Sequence, residues 1–156
     1  MVIDFKRELI RNEAQKVRDW AVRLEDSYDD LCGWCLTCSY LIFKKLDKLN
    51  LNPELCVTGC GSSSHSFIYC QGYIVDVTAT QFYGIKRNVV VIKNNGSCKL
   101  EFWDLLENTM FRSGDINAIE KHLCSWADEC NPKTKFRSDS FKNRKNCPIE
   151  MRSIFY

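Results

Sequence analysis

The sequence predicts an α+β domain, because two helical segments precede a run of strands. Residues 5–26 repeat apolar side chains every three or four positions with charges between them, as in an amphipathic helix. A second pattern of this kind covers residues 33–50 and ends before Pro53. Short apolar segments separated by turn residues follow, which is typical of antiparallel strands. Helices and strands segregated along the chain indicate an α+β fold.

The strands are predicted from short apolar runs over residues 54–60, 65–70, 73–80 and 88–93. A tight turn at Gln71-Gly72 joins the second and third of these into a hairpin. Residues 99–110 predict a strand that leads into a short helix, and Asp115 is the expected N-cap of a further helix. We therefore expect one domain over residues 1–156, with the helices packed on an antiparallel sheet.

The composition is that of an ordinary globular protein, with 45% hydrophobic and 27% charged residues. No apolar run approaches the roughly 18 residues that a membrane span needs, and the first residues lack the pattern of a secretory signal peptide. We therefore expect a cytoplasmic protein without a membrane partner. Most of its ten cysteines should then be free thiols rather than disulfides.

The segment 131–156 is a basic tail, with seven Lys/Arg against two Asp/Glu, whereas the preceding 130 residues carry a net charge of −3. Such a tail can contact nucleic acid, an acidic partner or an acidic face of its own domain. It also carries six apolar side chains that could pack on the domain: Phe136, Phe141, Ile149, Ile154, Phe155 and Tyr156. We expect the tail to pack on the body of the domain, and we do not expect nucleic acid as a partner.

Cys35 is the predicted nucleophile. It falls in the first turn of the second helix, where unpaired N–H groups and the helix dipole stabilise a thiolate. The same amides can hold the oxyanion that forms when a thiolate attacks an amide carbon. The helical period directs Cys35 toward the core and Cys38 to the flank of the apolar stripe, whereas Cys32 precedes the first turn.

His65 and Asp76 are placed to support that thiolate. Asp76 lies within an apolar strand, where a carboxylate without a partner would cost several kcal/mol. If the turn centres on Gln71-Gly72, His65 stands opposite Thr78 and Asp76 is its diagonal neighbour on the same face. A turn one residue earlier makes His65 and Asp76 direct neighbours, and a three-residue loop puts them on opposite faces. The spacing therefore permits a His65–Asp76 pair.

Gly-x-Cys opens a helix at Gly33, a histidine precedes a hairpin at His65, and Asp-x-Thr follows a short strand at Asp76. In this order the three features resemble the transglutaminase-like branch of the papain-like superfamily, over about residues 30–82. One departure is that the aromatic residue near the histidine, Phe67, stands two positions after it.

The resemblance implies a papain-like fold in which Cys35 is the nucleophile, His65 the general base and Asp76 the acid that orients the histidine. It implies cleavage, deamidation or transamidation of amide bonds in a protein or peptide through a thioester, with no cofactor. Papain-like enzymes often take an oxyanion donor from an upstream Gln or Asn, and Asn12 and Gln15 are candidates. The group includes effectors that deamidate a glutamine of a host protein, a role that would suit a small single-domain protein.

Two alternatives stay open. Cys32-x-x-Cys35 and Cys56-x-x-x-Cys60 are two pairs separated by twenty residues, a spacing that could hold zinc. The helical setting of Cys35 disfavours this arrangement. The other alternative is a catalytically inert module on the same fold that binds a partner through its basic tail.

Overall fold

The computed structural model describes residues 2–24, 31, 33–60, 63–93, 100–104, 106 and 111–114. They belong to one compact unit, Met1–Gly114. The helix predicted after Asp115 and the packing of the basic tail, residues 131–156, lie outside the described residues. The prediction of an α+β fold is confirmed, since two long helices pack on an antiparallel sheet.

Helix α1 spans Phe5–Leu24, close to its predicted bounds. Its first turn is capped by Asp4, whose carboxylate accepts the N–H of Arg7 at 3.0 Å. Among the residues described, none of the helices has the length and apolar character needed to cross a membrane.

Helix α2 spans Cys35–Lys48 and is buried on most of its circumference. Cys38 is 1% exposed and Leu41 is 3% exposed, so the buried surface of α2 extends beyond the apolar stripe that the helical period predicts. A helix that is apolar on most sides lies inside a domain rather than on its surface. The start of α2 is docked on α1 by Trp34, whose ring meets the Trp20 ring edge-on with centroids 5.8 Å apart.

Within the described residues the sheet has five strands in the order β4-β3-β2-β1-β5, and every neighbouring pair is antiparallel. The strands are β1 Glu54–Cys60, β2 Ser63–Cys70, β3 Tyr73–Asp76, β4 Val90–Lys93 and β5 Phe111–Ser113. Strand β3 is shorter than the predicted 73–80, because the chain turns away after Asp76 into a 3₁₀ turn, Ala79–Gln81. Strand β5 was not predicted.

The β2–β3 hairpin turns at Gln71 and Gly72, whose φ angles of 53° and 84° are both in the left-handed region that two-residue hairpin turns use. Cys70 pairs with Tyr73 across this turn. This confirms the first of the predicted registers, in which Asp76 lies on the same face as His65.

The register assigns the strand side chains to two faces. On one of them Cys56, Phe67 and Ile74 pack with Trp103, which lies on the short helix α3, Glu101–Asp104. We call this the α3 face. The opposite face is covered by α1 and α2, which contact β1 to β4. By strand alternation His65 and Asp76 belong to the α3 face, so α2 lies on the other side of the sheet.

Candidate active site

Asp76 is a buried carboxylate with a partner on each oxygen. His65 Nε2 lies 2.6 Å from Asp76 Oδ2, and the indole N–H of Trp103 donates to the same oxygen at 2.9 Å. The backbone N–H of Thr78 donates to Oδ1, also at 2.9 Å. Burial alone raises the pKa of Asp76, but the positive His65 ring and these donors outweigh it and lower the pKa below its ordinary value. Asp76 is therefore ionised at neutral pH.

His65 is enclosed by aromatic rings and is 1% exposed. The Phe82 ring meets it edge-on with centroids 4.9 Å apart, the Phe102 centroid lies at 5.5 Å and the Phe67 centroid at 6.3 Å. These rings exclude water from the His65–Asp76 contact, and a low local dielectric strengthens the attraction between opposite charges. The cage therefore holds the imidazole in one orientation.

Cys35 is the first residue of α2 and is partly exposed. The earliest hydrogen bond within the helix runs from the Cys38 N–H to the Trp34 carbonyl at 2.9 Å. The N–H groups of Cys35, Leu36 and Thr37 therefore have no acceptor inside the helix, and they can face a negative charge at its N-terminus.

The Cys35 thiol interacts with the His65 ring. Burial alone raises the pKa of Cys35, but the adjacent, positively charged His65 ring and the Ser66 backbone N–H outweigh it and lower that pKa below its ordinary value. Burial alone lowers the pKa of His65, but Asp76 and Cys35 outweigh it and raise that pKa to about 10. At neutral pH the His65 ring is therefore an imidazolium, and its charge favours the thiolate form of Cys35.

Among the described residues, His65 forms a hydrogen bond through only one of its two ring nitrogens. Nε2 binds Asp76, which leaves Nδ1 for the thiol. Nδ1 is buried and, among the described residues, makes no hydrogen bond within ordinary limits of distance and angle. Hydrogen bonds between catalytic groups are often long in enzymes without substrate and shorten when substrate binds. The predicted contact between His65 and Asp76 is thus confirmed, and Cys35 lies beside the same histidine.

Sequence reasoning missed Phe102 and Trp103. Both lie on α3, a single turn whose four residues are too few to show a helical period. The Thr58 hydroxyl donates to the Phe102 carbonyl at 2.7 Å, which fastens α3 to β1. The one available signal was the need of Asp76 for donors, and an indole N–H is a donor that is often buried.

The two candidates for an oxyanion donor lie on the outer side of α1. The Gln15 side chain donates to Asp19 at 2.9 Å along the helix, and Asn12 is exposed. The Gln15 amide is thus bound to Asp19 rather than directed at Cys35. Phe82 packs against the site through its edge-on contact with His65.

The zinc alternative requires Cys56 as a thiolate. Cys56 is fully buried among apolar side chains on the α3 face, and this burial raises the pKa of its thiol to about 12. Within the part of the chain that the structure describes, no three metal-ligating residues come together. Cys32 and the side chain of Cys60 lie outside the described residues.

Comparisons with protein-family models, with curated proteins and with solved structures found no match for this chain. The geometry therefore carries the functional argument. It defines an α+β domain in which a helix-terminal cysteine, a caged histidine and a buried aspartate lie side by side.

Proposed function

We propose that the protein is a cysteine-dependent amide-bond enzyme of the transglutaminase-like branch of the papain-like superfamily. Its substrate is a protein or peptide, and its reaction is that of a thiol protease, a glutamine deamidase or a transglutaminase. One observation carries this proposal: His65 binds Asp76 at 2.6 Å through one ring nitrogen and leaves the other for a thiol at a helix N-terminus.

In the first half of the reaction the Cys35 thiolate attacks the carbonyl carbon of the substrate amide. The carbon–sulfur bond forms, and the carbonyl oxygen becomes an oxyanion that the N–H groups at the start of α2 can hold. When the carbon–nitrogen bond breaks, the nitrogen takes the proton of the His65 imidazolium and leaves as an amine or as ammonia. The acyl group remains on Cys35 as a thioester.

In the second half, water or an amine attacks the thioester. His65, now neutral, takes the proton of this nucleophile, and the Cys35 thiolate leaves. Water gives hydrolysis or deamidation, and an amine gives transamidation. Asp76 stays ionised throughout and stabilises the positive ring each time it forms, as an orienting carboxylate does in other triads.

Thiol labelling tests the proposal. The intact protein is treated with iodoacetamide between pH 5 and pH 9, and alkylation of each cysteine is followed by peptide mass spectrometry. We expect Cys35 to react well below pH 8 and His65→Ala to abolish this reactivity, because the imidazolium stabilises the thiolate. Cys70→Ser is the matched control and should leave the labelling of Cys35 unchanged. Its buried thiol lies on β2, and burial raises its pKa to about 11.

Uniform slow labelling of the cysteines would refute the proposal and favour an inert binding module. If Cys35 is selectively reactive, incubation with a glutamine-containing peptide separates the reactions. Ammonia release without cleavage indicates a deamidase, incorporation of a labelled amine indicates a transglutaminase, and chain cleavage indicates a protease. A cytoplasmic location and delivery to a host cell as an effector stay predictions from the sequence.

A further inference from the structure

Arg18 is a buried charge on α1 that takes no part in the chemistry described above. It is 7% exposed, and one of its terminal nitrogens donates to the Val77 carbonyl at 2.7 Å and to the Thr80 hydroxyl at 2.9 Å. The other terminal nitrogen lies 3.5 Å from the side-chain oxygen of Asn88. These three partners follow Asp76 in the chain, so Arg18 ties α1 to the segment that leaves β3.

In a continued β2–β3 ladder the Val77 carbonyl would accept the Ser66 N–H instead. Cys70 and Tyr73 flank the two-residue turn and so form a hydrogen-bonded pair, and in an antiparallel ladder such pairs recur at every second residue. The next pairs are Ile68 with Val75, which forms, and Ser66 with Val77, which does not. The ladder stops one pair short, and the Val77 carbonyl accepts from Arg18 instead.

The unused partner is the Ser66 N–H. Ser66 directly follows His65, and the side of β2 from which its N–H projects is the side that β3 has left. This N–H lies close enough to the Cys35 thiol to help lower its pKa. The break in the ladder is therefore the place where the thiol of a helix on one side of the sheet reaches a histidine on the other.

We propose that Arg18 is a positioning residue of the site: by binding the Val77 carbonyl it ends the β2–β3 ladder, and this leaves the Ser66 N–H directed at the Cys35 sulfur. The inference rests on the proposed function, because that function is what requires a Cys35 thiolate. Its structural content is independent of which amide the enzyme attacks.

The test measures the ionisation of Cys35 in the intact protein. In Arg18→Met, which keeps much of the side-chain volume, the Val77 carbonyl loses its donor and can take the Ser66 N–H. We expect Cys35 alkylation at pH 6.5 to fall about tenfold, the equivalent of one pKa unit. Arg18→Lys, which keeps one cationic donor, should restore most of the rate.

Asn88→Ala is the matched control. It removes the most distant of the three partners named above and leaves the bond to Val77, so Cys35 alkylation should stay at the wild-type rate. A folded Arg18→Met protein with the wild-type alkylation profile would overturn the inference while leaving the proposed function intact. A wild-type protein whose Cys35 is not selectively alkylated would instead count against the proposed function.

A second measurement does not depend on a folded Arg18 variant. In the ¹⁵N-labelled wild type, the Ser66 amide resonance should shift as Cys35 titrates, and this shift should vanish in Cys35→Ser. If the Ser66 resonance is insensitive to Cys35, its N–H does not bind the sulfur, and the role assigned to Arg18 is refuted.

Discussion

Replacing Trp103 with phenylalanine tests whether the indole N–H supports the Asp76 carboxylate. The indole nitrogen lies 2.9 Å from Asp76 Oδ2 in a buried site. A hydrogen bond to a charged group contributes about 1.5–3 kcal/mol. The smaller ring leaves unfilled volume that costs on the order of 1 kcal/mol more. We therefore expect Trp103→Phe to lower the free energy of unfolding by about 2.5–4 kcal/mol at pH 7.

This loss should depend on pH in a defined direction. The pKa of Asp76 is lower in the folded protein than its ordinary value. Contacts that favour the ionised form therefore stabilise the fold above that ordinary value and are lost as the pH falls through the folded-state pKa. Trp103 is one of those contacts, so the difference between Trp103→Phe and the wild type should shrink as the pH falls below about 4.

Urea denaturation followed by circular dichroism, in steps from pH 7 to pH 3, measures this difference. Ile74→Val is the matched control, because Ile74 lies in the same apolar cluster and this change removes volume without removing a hydrogen bond. Its cost should be about 1 kcal/mol at every pH. The reasoning is refuted if Trp103→Phe costs no more than Ile74→Val and its cost does not vary with pH.

Three further changes address the ion pair and the hairpin. Asp76→Asn removes the charge that holds the proton on His65, so alkylation of Cys35 at pH 6.5 should fall at least about tenfold; an unchanged rate would contradict the role of Asp76. In NMR titrations the His65 ring should lose its proton near pH 10, and Cys35→Ser should lower that midpoint because the thiolate helps to raise it. A midpoint near 6.5 in the wild type would mean that no ion pair exists. Gly72→Ala places a side chain at a φ of 84°, which should cost about 1–2 kcal/mol in urea denaturation. It should leave Cys35 alkylation unchanged, since a Cβ there meets no atom within 4 Å.

Much of the fold could be predicted because its main elements have local signals. The two long helices show apolar repeats over several turns, and the hairpin turn is marked by Gly72. The position of that turn fixes the register of β2 and β3. Because strand side chains alternate, this register puts Asp76 on the same face as His65. The contact between these two residues followed from the register and from the cost of burying a lone carboxylate.

The missed features depend on distant parts of the chain. Strand β5 is three residues long and pairs with β1, more than fifty residues earlier, so nothing local marks it. The early end of β3 depends on Arg18, which comes from α1 and takes the carbonyl that would have continued the ladder. The full burial of Cys38 reflects a central position of α2 that a helical wheel does not show, because a wheel assumes one solvent-facing side.

The placement of the site on two sides of the sheet has a consequence for synthesis. A ribosome makes Cys35 before His65 and Asp76, and Trp103 comes last. Until the sheet has formed and α2 has docked across it, Cys35 has neither the imidazolium nor the Ser66 N–H beside it, and its thiol keeps an ordinary pKa of about 8.5. Under the proposed function, the nascent chain therefore carries an unactivated cysteine, and the thiol is activated only once the domain is assembled.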